Sequence, residues 1–249
     1  MPFHAAVARC VTLLALVLPL AALAQPTFTP EQRDALGGII RDYLVRNPEV
    51  VQEAFGELER RTQEAERQGW AQVLVSERDK LENSPRDFAL GNPQGDVTMV
   101  EFLDYNCGYC KRAVADVKAL IQADPKLRVV IKDFPVLGSG SVEASRVALA
   151  ARPQLAGDRL YEFHTRLMEG RGQANGESAM DVAREMRLDM ARLERELHGN
   201  VINATLQRNM DLGEKLGING TPGFVIGNEV VAGAVGAEPL RQIIANNRK

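Results

Sequence analysis

The stretch VTMVEFLDYNCGYCKR, residues 97–112, decides how the chain is read. Its first half, Val97 to Leu103, is apolar and rich in β-branched residues, the pattern of a strand buried on both faces. A short polar break follows, and then Cys107 and Cys110 in C-x-x-C spacing. They open a helical segment that runs to Ala123 and stops near Asp124 and Pro125. Unpaired backbone N–H groups and the macrodipole favour negative charge at a helix N-terminus. A thiolate at Cys107 is stabilised there and is a nucleophile at neutral pH. Asn106 is placed to help cap the helix, and Lys111 and Arg112 add positive potential. Cys107 is expected to be the more exposed attacker. Cys110, one turn later, is expected to be partly buried and to resolve a mixed disulfide. Leu127 to Phe134 is a second apolar strand, so the region reads as a βαβ unit with a parallel pair.

Two charged residues interrupt these strands. Glu101 lies six residues before Cys107, and Lys132 is similarly placed in the second strand. A buried carboxylate is costly unless paired or protonated. The expectation is that adjacent strands bring Glu101 and Lys132 together beneath the cysteines as a proton relay for Cys110. The alternative is that one or both project to the sheet edge. A metal centre would need three or four ligands, and the mature chain adds only His164 and His198. Both lie in a helical region without ligand spacing and read as surface or cap positions.

The sequence upstream has a different character. Met1 to Arg9 carries one Arg and no acid, Cys10 to Leu20 is nearly all apolar, and small residues stand at Ala22 and Ala24. This is the layout of a signal peptide, residues 1–24, cleaved before Gln25. Its apolar run is shorter than the ~20 residues a membrane-spanning helix needs. Removing it leaves two cysteines, Cys107 and Cys110, so the exported protein is not disulfide-stapled. Residues 25–83 read as a helical arm. Thr29 caps a helix with Pro30 at its first position. Leu36, Ile40, Tyr43 and Leu44 share one face, and a second helix begins after Asn47 and Pro48. Val51, Phe55, Leu58, Thr62 and Ala65 approximate a heptad seam. That seam either packs on its own domain or is buried between chains; the arm is read as an oligomerisation segment.

Residues 84–249 form the second part. Ser141 to Gly217 is helical in pattern, with Ser178 and Asp181 resembling a capping box. Val182, Met186, Met190, Leu193, Leu197, Ile202, Leu206 and Met210 recur at helical spacing and are read as core. Gly223 to Gly227 and Glu229 to Gly233 are short strands joined by a hairpin turn at Gly227 and Asn228. A closing helix spans Pro239 to Ala245. Just before the hairpin, Thr221 precedes Pro222, which marks a turn or edge and is a candidate cis proline. The net charge of −3 and pI near 5.8 argue against a nucleic-acid footprint.

Taken in order, residues 100–112, KDFP at 132–135, the helical insertion at about 139–217, and GTP at 220–222 resemble the thioredoxin fold. More closely they resemble its DsbA-like periplasmic branch, over about residues 85–249. The fold class this implies is α/β, a thioredoxin domain with an all-helical insertion behind an N-terminal helical arm. The arm is similar to that of the oligomeric suppressor-of-copper-sensitivity C-type proteins. The resemblance implies Cys107 as nucleophile, Cys110 as resolving thiol and Glu101 as the buried acid. It implies a substrate-binding role for Gly108, Tyr109, Thr221 and Pro222. No cofactor beyond the Cys107–Cys110 disulfide, and no metal, is implied. The expected activity is periplasmic thiol-disulfide exchange on unfolded or misoxidised exported proteins. A membrane redox partner and a homo-oligomer built through the arm are expected with it. Disulfide isomerase or reductase is favoured; a dithiol oxidase, or a copper-handling or holdase module, is the alternative.

Overall fold

The computed structural model describes residues 28–248, so the expected signal peptide lies outside the described residues. The chain divides into two compact units, one ending at Glu59 and one beginning at Arg60.

In the first unit, α1 spans Pro30–Arg46 and α2, Pro48–Glu82, begins. Thr29 caps α1 as expected: its hydroxyl accepts from the Gln32 backbone N–H at 3.3 Å. Asn47 and Pro48 separate the helices, and the Asn47 amide donates to the Tyr43 carbonyl at 2.8 Å. α1 buries none of its residues. Ile39, Ile40, Tyr43, Val45 and Phe55 are each at least half exposed within the single chain. At about 1.5 Å per residue, the 35 residues of α2 run some 50 Å.

The second unit is built on a mixed sheet in the order β1-β3-β2-β4-β5. Its strands are β1 (Phe88–Gly91), β2 (Val97–Leu103), β3 (Leu127–Asp133), β4 (Gly223–Ile226) and β5 (Glu229–Ala232). β2 and β3 pair in parallel through α3 (Gly108–Ala123), as the sequence predicts. β1 and β4 join them antiparallel. β1 escapes the sequence reading because its four residues, ending in glycine, are too few to show alternation. Gly227, at φ +59°, supplies the left-handed residue of the β4–β5 hairpin.

Between β3 and β4 lie α4 (Ser139–Ala151), a short 3-10 turn, α5 (Gly157–Glu169), α6 (Gly176–Glu185), α7 (Met190–Leu197) and α8 (Asn200–Lys215). This is the expected insertion. Met186, Leu193, Ile202 and Leu206 are buried in it, with Val182, Met190, Leu197 and Met210 packed at the edges of the core. The cap of α6 is Asn175 rather than Ser178, which serves as its third residue; the box is real but begins three residues earlier. α9 (Ala237–Asn246) closes the chain.

The sheet has a core on each face. One holds Met99, Leu103, Val129 and Ile131 with α3, α5, α9 and the insertion. The other holds Val100, Phe102, Val130 and Phe134 with Leu212 of α8, Leu216 just after it, and Leu74 and Leu81 of α2. The compact unit therefore takes in the last part of the expected arm. Its C-terminal turns pack on the sheet, and burying each of those leucines contributes about 1.5–3 kcal/mol. His198 is exposed at the end of α7, but His164 is not a surface residue. It is buried between the rings of Phe88 and Tyr105, and burial depresses it to about 4.

Candidate active site

β2 ends at Leu103, and the next three residues turn the chain into α3. Asp104 organises that turn. Its carboxylate accepts from the Asn106 N–H and the Ser141 hydroxyl through one oxygen, and from the Val136 and Leu137 N–H groups through the other, at 2.7–2.9 Å. Its carbonyl accepts from the Cys107 N–H. Asn106 does not cap α3. Its amide bridges to Ser141 and to both backbone groups of Ala174, tying the turn to the insertion. Sequence reading missed both roles; the signal available was an Asp and an Asn two residues apart just before the cysteines, a composition that makes side-chain-closed turns.

Cys107 itself caps α3. Its sulfur accepts from the Cys110 backbone N–H at 3.4 Å, so a peptide dipole of the first turn points at it. The same thiol donates to the Thr221 carbonyl at 3.1 Å. The Thr221–Pro222 peptide is cis. The cysteines are both free. Cys107 is the more exposed of the two, though only 5% of it is accessible, against 0% for Cys110. Burial pushes the Cys110 thiol well above the ordinary range, and the nearby Glu101 carboxylate adds to the rise. Gly108 and Tyr109 lie between them. Tyr109 is exposed, and the Arg112 guanidinium stacks on its ring at 4.3 Å.

Glu101 is buried on the face of β2 that packs against α3, and burial raises it to about 8. Lys132 is not beside it. In the β2–β3 register Glu101 pairs with Ile131 and Lys132 pairs with Phe102, so the one-residue offset sends the two side chains to opposite faces. Lys132 binds the Asp87 carboxylate and the Lys80 carbonyl beneath the other face. The expected Glu101–Lys132 relay is thereby corrected: a parallel pair brings together residues in register, not residues of matching chemistry. The second carboxyl on the Glu101 face is Asp133, in register with Leu103, fully buried and raised to about 8 by burial. Among the described residues no group of three or more His, Cys, Asp or Glu comes together as a metal site.

A groove of about 460 Å³ opens beside the cysteines, walled by Tyr109, Thr221, Pro222, Val230 and, from α2, Glu66 and Trp70. The site thus offers a capped nucleophilic sulfur, a protected second thiol, a buried acid and an adjoining apolar trough.

Comparison with known proteins agrees with this geometry. The DSBA-like thioredoxin domain matches residues 98–245, and the Copper resistance protein ScsC N-terminal domain matches residues 32–65. A thioredoxin-like oxidoreductase from Silicibacter pomeroyi is 44% identical, with 69% of this chain and 97% of that chain covered and a TM-score of 0.65. Proteus mirabilis ScsC in a transitional conformation is 31% identical, with 89% and 99% covered and a TM-score of 0.65. Disulfide bond formation protein D of Bacillus subtilis is 25% identical over 171 residues, 64% of this chain and 76% of that protein. The match to Na(+)/H(+) antiporter NhaA 1 of Salinispora arenicola, 24% identical, spans only 24% of that relative's length.

Proposed function

The chain belongs to the DSBA-like thioredoxin domain family and is a thiol-disulfide oxidoreductase, and on that premise we propose that it is an isomerase or reductase of exported proteins. The observation that carries this reading is the unequal protection of the two thiols. Cys107 is a helix-capping sulfur bonded to Thr221 of the groove wall, while the Cys110 thiol is fully buried and hard to ionise. A client attached to Cys107 is therefore released slowly by Cys110 and has time to reshuffle.

The Cys107 thiolate attacks one sulfur of a non-native client disulfide, and the other client sulfur leaves as a thiolate and takes up a proton. In isomerisation a second client thiolate attacks the sulfur held on Cys107, restoring the Cys107 thiolate with no net electron transfer. In reduction, Cys110 loses its proton to the ionised form of Glu101, whose raised value leaves it a base close to neutral pH, and attacks Cys107. The client sulfur leaves as a thiolate and takes the proton back from Glu101, and the Cys107–Cys110 disulfide awaits two electrons from a membrane redox partner. Gly108, Tyr109, Thr221 and Pro222 position the client segment. The protein works in the periplasm after cleavage before Gln25. The Salmonella enterica relative described as a periplasmic thioredoxin-like protein supports that placement. The exposed apolar residues of α1 support assembly of several copies around the client.

The test is reactivation of a scrambled-disulfide protein by the reduced full chain without added oxidant. Reactivation is expected from the wild type and not from Cys107→Ser. The Bacillus relative's description as a disulfide bond formation protein favours a second reading, an oxidase. Inert reduced chain with rapid oxidation of a dithiol peptide by the disulfide form would establish it. Reactivation surviving in Cys107→Ser would point instead to a holdase.

A further inference from the structure

Trp70 lies between the two matched regions, 32–65 and 98–245, so neither similarity assigns it a role. It is the chain's single tryptophan. One side of it packs on the cluster containing Leu74, Leu216 and Ile218. The other lines the groove, whose wall includes Thr221, and the Thr221 carbonyl accepts from the Cys107 thiol. Gly217, at φ +66°, takes the left-handed turn of the loop beside the indole, where an added Cβ would be in ordinary contact with the Trp70 Nε1. Glu66 stands one helical turn before Trp70, on the same face, and is the one charged residue lining the groove among the described residues. β5, which supplies Val230, is an edge strand.

We propose that Trp70 and Glu66 select the client: the groove takes an extended segment whose cysteine is bonded to Cys107, with an aromatic or branched aliphatic side chain on Trp70 and a basic residue opposite Glu66. This inference rests on the exchange reading above. The groove adjoins the nucleophile through Tyr109 and Thr221, its lining is mostly apolar, and its charge is a single exposed carboxylate. An indole held on one side by packing offers a rigid contact surface at small entropic cost.

The test uses full-length reduced chain and cysteine peptides activated as mixed disulfides. The peptides carry Phe or Ala, and Lys or Asp, beside the cysteine; glutathione disulfide serves as the small reference. The wild type is expected to prefer the Phe and Lys peptides. Trp70→Leu, which keeps apolar bulk against the cluster, is expected to lower the Phe-to-Ala rate ratio about tenfold. Glu66→Lys, at an exposed position, is expected to invert the Lys-to-Asp preference. Emission of the single tryptophan should move to shorter wavelength when the Phe peptide is attached. Wild-type preferences retained in both variants would overturn the proposal. A wild type inert even toward glutathione disulfide would instead overturn the exchange reading.

Discussion

Glu101 is a carboxyl held near 8 by burial alone, against an ordinary value of 4.5. Its folded form keeps a proton that the unfolded chain has already lost. Stability therefore falls as pH rises from about 4.5 through about 8, by up to about 1.4 kcal/mol per pH unit. Asp133 acts in the same direction. Glu101→Gln should flatten the denaturant-derived stability curve between pH 5 and 8, a window set by the raised carboxyl. It should also slow release of a client from Cys107 and change the pH dependence of that step. An unchanged pH profile would remove Glu101 from the proton path. Asp104 makes a structural prediction. Four donors converge on its carboxylate, so Asp104→Ala should cost about 3 kcal/mol or more in chemical denaturation, by leaving backbone N–H groups unpaired. At this scale the cysteines and Glu101 were legible because chemistry and position coincide in one short motif. Asp104 and Asn106 were not, because their partners Val136, Leu137, Ser141 and Ala174 come from elements whose docking the sequence does not display.

At the scale of elements, β2, α3, β3 and the β4–β5 hairpin announce themselves by apolar runs, caps and a turn. What periodicity does not reveal is which faces meet. The Glu101–Lys132 expectation failed on register, a property of the pair and not of either strand. The division of α2 was hidden for a similar reason: its turns look alike in composition, yet only Leu74, Glu77 and Leu81 are buried. Leu81→Ala should therefore destabilise the catalytic unit by about 2–5 kcal/mol, although residue 81 lies outside the matched thioredoxin region. α8 approaches Phe134 so closely that a Cβ on Gly213 would collide with its ring. Gly213→Ala should cost about 1–3 kcal/mol in thermal or denaturant unfolding. Wild-type stability in either variant would contradict the packing described for that face.

At the scale of the molecule, the first unit carries apolar side chains that the single chain leaves in water, and the second carries the chemistry. Replacing Ile39 and Ile40 by Asp adds charge where both residues are already half exposed or more, so the catalytic unit should keep its fold. The variant should sediment as a smaller species than the wild type and lose reactivation of a scrambled protein while still reducing glutathione disulfide. An unchanged sedimentation coefficient would contradict assembly through α1.

The most direct test of the whole account is to stop the reaction of the reduced chain with a scrambled client in acid and map the trapped adduct by mass spectrometry. The account predicts client sulfur on Cys107, and an adduct that persists in Cys110→Ser. Client sulfur found on Cys110 would contradict it.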